Sequence, residues 1–280
     1  MHWGLQLKFV DAHIHLADKD YSQNVREIVE EARCSNVLGL VANSTDLESS
    51  RRSLRLAEEY PDHVYAALGI HPWNTKQLKD DEVQDTVDLI IKNTEKRTIL
   101  VAVGEIGLDA SYSGNGEPTE IQLKVFHEML SAAEKTCLPV IIHSRGSTSQ
   151  ILKMLPSYKI NKVLLHWFEK PQSLIPTIVD RGYYISEGPP VTFSDVIREV
   201  IKQIPLANLI TETDGPVRFR GRFKGKLTTP SFIPSVVEEV AELKEKEKKD
   251  VADQIFHNFI DFFGVAGVRD KRYDAGTFHE

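Results

Sequence analysis

Five of the ten histidines in this chain stand at the ends of short apolar runs, and several acids do the same. The first run closes with Asp11-Ala12-His13-Ile14-His15, the third with Gly69-Ile70-His71-Pro72 and the fourth with Gly104-Glu105. His143 ends the fifth, His166 the sixth and Glu212-Thr213-Asp214 the eighth. Imidazole and carboxylate together, without thiolate, are the donor set of zinc, manganese or magnesium. Two such ions about 3.5–4 Å apart lower the pKa of a shared water and clamp attacking and leaving oxygens. Glu105 is placed to bridge them, because a carboxylate has two oxygens. The order along the chain assigns His13, His15 and Asp214 to one ion and His143 and His166 to the other. Asp214 would also accept the proton of the attacking water. His13 and His15 are two residues apart and share one face of a strand, and Glu212 and Asp214 obey the same rule.

The elements that must position these groups read as alternating strands and helices. The strand-like runs are LKFVDA, NVLGLVA, HVYAALGI, TILVAVGE, LPVIIH, NKVLLHW, GYYISEG and NLITETD. Most are continuously apolar, as strands buried on both faces require. Thr119 and Gln122 fit a capping box ahead of a stripe of Ile121, Val125, Phe126, Met129, Leu130 and Ala133. Thr45 and Glu48 offer the same signature for a helix running toward Tyr60. A last helix is expected from about Asp250, with Val251, Ile255, Phe256, Phe259 and Phe263 on one face before Gly264. EKEKKD near residue 247 reads as a solvated helix end. Eight such units in 280 residues predict one (β/α)8 TIM barrel filling the chain as a single domain, with all the strand ends converging on one face.

Composition narrows the partners. Apolar residues make up 41 % and charged residues 27 %, which predicts a globular protein. A formal net charge of -7 argues against a protein that coats duplex DNA, though not against a local basic patch. Cys34 and Cys137 are the only cysteines, so no disulfide framework or Cys-rich zinc site is expected. Both fall at helix ends before strands, where small buried residues are common. The first residues do not read as a signal peptide, and no apolar run approaches the roughly 20 residues of a membrane span. A cytoplasmic location without membrane association is expected.

In this order the segments VDAHIHL (10–16), LGIHPW (68–73), VGEIGLD (103–109), PVIIHSR (139–145), LLHWF (164–168) and ETDGP (212–216) resemble the TatD family of metal-dependent deoxyribonucleases, within the amidohydrolase-like barrels. The resemblance implies a two-ion barrel that hydrolyses phosphodiesters, often as a 3′-to-5′ exonuclease on single-stranded DNA. It carries metal roles onto His13, His15, Glu105, His143, His166 and Asp214, phosphate contacts onto His71 and Arg145, and a place near the ions onto Glu212. Two segments depart from the family pattern. Trp167-Phe168-Glu169-Lys170 replaces a Gly-containing turn, and VRFRGRFKGK follows TDGP.

That second segment places five cations within residues 218–226, Arg220 and Arg222 among them, interleaved with Phe219 and Phe223. It is either a phosphate- and base-binding loop or a solvated loop whose phenylalanines tuck against the barrel. Trp73 and Trp167 are placed either to line a substrate groove or to wall the barrel mouth. Asn43 and Glu187 read as hydrogen-bonding scaffold, and Asp11 as support for a ligand. The rival functions are a barrel hydrolase acting on a small amide, lactone or ester, and a silent binding barrel. Many of the former bridge their ions with a carbamylated lysine on the fourth strand, where this chain has Glu105.

Overall fold

The computed structural model describes residues 7–112 and 116–265; His2 and His279 lie outside them. Eight parallel strands form one sheet in chain order: β1 (Phe9–Ile14), β2 (Val37–Asn43), β3 (Val64–Leu68), β4 (Leu100–Gly107), β5 (Val140–His143), β6 (Val163–His166), β7 (Tyr184–Glu187) and β8 (Leu209–Thr211). Helices α1 (Val25–Cys34), α2 (Leu47–Glu59), α3 (Glu82–Asn93), α4 (Glu120–Thr136), α5 (Thr148–Met154), α6 (Ile175–Asp180) and α7 (Asp195–Gln203) alternate with them. Two more, α8 (Ile233–Leu243) and α9 (Lys248–Phe263), follow β8 and pack on β1 and β8. This is a TIM barrel. Among the described residues no helix is long and apolar enough to cross a membrane.

The ring is drawn shut where β1 meets β8. Thr211 Oγ1 donates to Val10 O at 2.7 Å, and the amides of Asp214 and His15 donate to His13 O and Gly215 O, each at 2.8 Å. Asp11 adds a buried carboxylate that accepts from Thr213 N at 3.0 Å and Thr213 Oγ1 at 2.6 Å. It supports the backbone on which the ligands stand rather than any ligand ring. Burial pushes its carboxyl up to about 8 despite those donors. Every residue of β1 to β4 is buried, which is why these strands read as unbroken apolar runs.

The helices answer to local chemistry, with four differences from the sequence reading. The cap of α2 is Asp46, one residue later than Thr45: its carboxylate accepts from Ser49 N at 2.7 Å and Ser49 returns its hydroxyl to the cap. On α4, Thr119 does cap Gln122 N, but the Gln122 side chain is spent on Asp109 N and Pro72 O. Ile121 on that helix is 42 % exposed and falls off the apolar stripe. Cys34 and Cys137 are both exposed, because each ends its helix on the solvent side of the turn. The expected face of α9 is buried from Val251 to Phe263, and Asn258 donates to Leu206 O and Leu209 O, fixing that helix to the foot of β8.

Candidate metal centre

The strand ends bring His13, His15, His71, Glu105, His143, His166 and Asp214 into one cluster around a single buried carboxylate. Glu105 Oε2 lies 3.3 Å from His13 Nε2 and 3.4 Å from His15 Nε2. Asp214 Oδ1 lies 3.5 Å and 3.3 Å from the same two nitrogens, which are 3.3 Å from each other. Five of the six edges of this four-atom figure are therefore 3.3–3.5 Å long. A regular tetrahedron of that edge has its centre about 2.0–2.1 Å from each corner, the length of a Zn–N or Zn–O bond. The other oxygen, Glu105 Oε1, faces a second set. It is 3.1 Å from His143 Nδ1, 2.8 Å from His166 Nε2 and 3.2 Å from His71 Nε2. His143 Nδ1 and His166 Nε2 are 3.4 Å apart.

The backbone that aims these groups is specialised. Alternation fails at both key strands: the β1–β2 register shifts between Asp11 and Ile14, and the β4–β5 register shifts between Val103 and Ile106. Such irregularities re-aim side chains beside active sites. Gly107 has φ +146°, and a Cβ there would stand 2.0 Å from His143 O, so only glycine lets β4 and β5 approach closely enough for Glu105 to meet His143. Strand β8 ends at Thr211, and Asp214 has φ +51°, so Glu212 and Asp214 do not share a face as the two-residue spacing implies. Asp214 meets His15, while Glu212 accepts from Ser186 Oγ and lies 3.5 Å from His166 Nδ1.

Second partners decide which ring nitrogen faces the centre. His15 Nδ1 is 3.2 Å from Asn43 O, a carbonyl that only accepts, so His15 Nε2 keeps its lone pair for the centre. His143 Nε2 is 2.9 Å from Asp109 Oδ2, leaving Nδ1 toward Glu105. Asp109 escaped the sequence reading: it lies beyond the last alternating residue of β4, where strand parity says nothing. His71 is different. Its Nδ1 accepts from Trp73 N at 3.1 Å, which puts the proton on Nε2, facing Glu105 Oε1 as a donor. Burial pulls His71 down to about 4, so it is neutral at physiological pH.

The electrostatics follow from crowding acids and imidazoles out of water. Burial alone would raise Glu105, but His71, His166 and His13 outweigh it and hold the carboxyl well below its usual range. Asp214 is likewise held down against burial by its hydrogen bond to His15 and by His166 and His13. His15 is pushed up to about 9: burial opposes this, and Asp214 with Glu105 prevails. His13 is lowered, by burial first and then by His166, whose ring stacks on it at 4.0 Å. Buried carboxylates surrounded by imidazole nitrogens therefore demand positive charge at the centre. Glu105 Oε2 has no hydrogen-bond donor although it is fully enclosed. Donor type, spacing and this orphaned oxygen all fit a divalent cation.

A cavity of about 740 Å³ opens over the cluster, lined by His15, Glu105, His166 and Asp214 and by Trp73, Arg145 and Trp167. The Arg145 guanidinium is exposed and meets no acid among the described residues. Arg220 and Arg222 stand outside that wall, Arg220 over the Phe193 ring at 5.1 Å and Arg222 3.6 Å from Glu239. Of the two readings of this loop, the phenylalanines take the second: Phe219 and Phe223 are buried and cluster with Phe232, so neither offers a free face.

Asn43 is scaffold, its amide donating to Ala12 O and Val41 O. Glu187 is not hydrogen-bonding scaffold: it is fully buried with neither oxygen partnered. Burial, then Glu212 and Glu169, raise its carboxyl well above 4.5. The folded state thus keeps a proton that the unfolded chain has lost, so this residue withdraws stability as pH climbs above 4.5 toward the folded value. Urea unfolding of Glu187→Gln between pH 5 and 9 should show a shallower loss than the parent, by on the order of 1–3 kcal/mol at the alkaline end. Parallel curves would show that the carboxyl has found a partner.

Comparison with known proteins agrees with this geometry. Residues 10–264 match the family model described as TatD related DNase. An uncharacterized metal-dependent hydrolase, YabD of Bacillus subtilis, is 32 % identical over 246 residues, covering 86 % of this chain and 93 % of its own. The human deoxyribonuclease TATDN3 is 31 % identical, covering 91 % and 94 %. The crystal structure of YjjV, a TatD homolog from Escherichia coli, superposes with a TM-score of 0.83 at 29 % identity, over 92 % of this chain and 98 % of that one. A barrel whose strand ends gather imidazoles about one glutamate, matched over nearly its whole length by these relatives, belongs to the TatD family of metal-dependent hydrolases.

Proposed function

We propose that this enzyme removes nucleotides from the 3′ end of single-stranded DNA, using two divalent cations drawn from magnesium, manganese and zinc. The observation that carries the reading is the division of labour at Glu105, whose two oxygens face separate donor sets beneath a cavity lined by Arg145, which meets no acid among the described residues. His13, His15, Asp214 and Glu105 Oε2 would hold one cation; His143, His166 and Glu105 Oε1 the other. When bound, the cations supply Lewis acidity toward phosphoryl oxygens and lower the pKa of water.

The chain's own groups do the rest. Arg145 holds the non-bridging phosphate oxygens, and His71, neutral with its proton on Nε2, joins it when that proton turns from Glu105 Oε1 to the phosphate. Asp214 takes a proton from the attacking water as the water oxygen bonds to phosphorus. The bond from phosphorus to the 3′ oxygen of the preceding nucleotide breaks, and that oxygen leaves as a free 3′ hydroxyl with the proton Asp214 accepted, passed on directly or through solvent. The name of the human relative, deoxyribonuclease, supports DNA as the polymer. The fourth strand carries no lysine, which counts against the carbamate-bridged chemistry of small-amide and lactone hydrolases.

Single-stranded DNA labelled at its 5′ end, incubated with magnesium or manganese, should show a ladder shortening from the 3′ side that chelator abolishes. Opening of a dihydropyrimidine or a lactone without any shortening of DNA would move the enzyme to the small-molecule class. Arg220 and Arg222, exposed beyond the cavity wall, are proposed to hold backbone phosphates upstream of the cut. Replacing both by Ala should weaken DNA binding and reduce the slope of log affinity against log salt by about two. Unchanged affinity and slope would leave that loop a purely structural role.

A further inference from the structure

Trp73 is the second residue of the turn after β3 (Pro72–Gln77) and forms part of the wall of the catalytic cavity. It is 44 % exposed, yet it is not loose. Its indole N–H donates to Asp109 Oδ2 at 2.6 Å. Its ring meets His71 edge-on at 4.9 Å and His143 at 5.9 Å. Tyr112 stacks beside it at 6.2 Å with planes 23° apart, and Lys76 Nζ sits 4.6 Å from the Tyr112 centroid. A large aromatic held rigidly while so much of it faces water is a feature of binding surfaces rather than of packing.

The same carboxylate oxygen that fixes the indole also bonds His143 Nε2. The aromatic face is therefore in fixed register with the centre that handles the phosphate. A flat π-surface at a constant offset from a phosphate site, in a cavity that Arg145 also lines, has the features of a seat for a nucleobase. Stacking of this kind accepts any base, since each has a π-face, and favours purines for their larger area. It also favours an unpaired end, because the last base of a duplex is tethered by its pairing partner and by its one stacking neighbour and must break both to turn onto the ring.

We infer that Trp73 is the stacking platform for the base of the nucleotide being removed, and thereby selects unpaired ends. This rests on the phosphodiesterase reading above. The test uses three oligonucleotides of equal length that end 3′ in a purine, a pyrimidine or an abasic sugar, with the parent enzyme, Trp73→Phe and Trp73→Ala. In the parent, kcat/KM should fall about tenfold from the purine to the abasic end, the worth of one stacked base, with the pyrimidine between. Trp73→Phe should keep most of this discrimination, since it keeps a ring. Trp73→Ala should erase it, levelling all three substrates.

Both variants lose the N–H to Asp109, so any loss of rate common to the three substrates reports the hold on His143, not stacking. Equilibrium binding gives a readout without turnover: deoxyadenosine monophosphate should bind the parent about tenfold tighter than deoxyribose 5-phosphate, and Trp73→Ala equally with it. Equal cleavage of purine and abasic ends by the parent, or intact discrimination in Trp73→Ala, overturns the platform while leaving the nuclease standing. Failure of the parent to cleave any of the three overturns both.

Discussion

Asp214→Asn should lower kcat for oligonucleotide cleavage by about 10²–10⁴-fold, the range associated with loss of a positioned general base. The amide has nearly the shape of the carboxylate, so the fold and the cavity survive. What it lacks is the negative charge beside His13 and His15 and the ability to take a proton. Glu105→Ala should be more damaging still, because one side chain faces both donor sets and is the buried anion against which five imidazoles are arranged. In that variant His71, His143 and His166 all lose Glu105, and only His143 and His166 keep another acid, Asp109 and Glu212. Single-turnover rates at saturating metal, with circular dichroism to confirm folding, decide the matter. Robust cleavage by both variants would leave the proposed chemistry without a site.

Metal removal should be visible in stability as well as in activity. Without a cation the centre must balance its buried acids with protons on the imidazoles, which is the arrangement implied by the raised His15, His143 and His166. A cation that binds the folded chain alone stabilises it by about 2.7 kcal/mol when present at a hundred times its Kd. For a chain of this size that corresponds to a Tm rise of about 4–5 °C over the chelated protein. Glu105→Ala should show almost none of this rise, which ties the effect to the cluster rather than to metal bound loosely elsewhere. Equal melting of the chelated and metal-supplied parent would mean that the cluster holds no ion. The measurement needs no substrate, so it stands apart from the choice between DNA and small-molecule chemistry.

Much of the architecture was legible before folding. Strands buried on both faces must be apolar along their whole length, which marked the eight runs, and their alternation with helices in one chain marked the barrel. Because parallel strands in a barrel place their carboxyl ends on one face, the positions of His13, His15, Glu105, His143, His166 and Asp214 in the chain already implied that they would meet.

What the sequence did not disclose lies where local rules stop. Asp109 and Asp214 stand past the ends of their strands, beyond the reach of two-residue alternation, so only the packed loops fix where they point. Glu187 looks like any strand-end acid; its isolation is a property of the neighbours that three-dimensional packing puts around it. Phe219 and Phe223 sit among cations in the chain and against Phe232 in space. The sequence by itself determined the kinds of donor and the face on which they gather, because burial and periodicity act residue by residue along each strand. Only the tertiary structure decided which nitrogen of each ring faces inward, how Glu105 divides its oxygens and that Trp73 is held open, because those depend on hydrogen bonds between segments far apart in the chain.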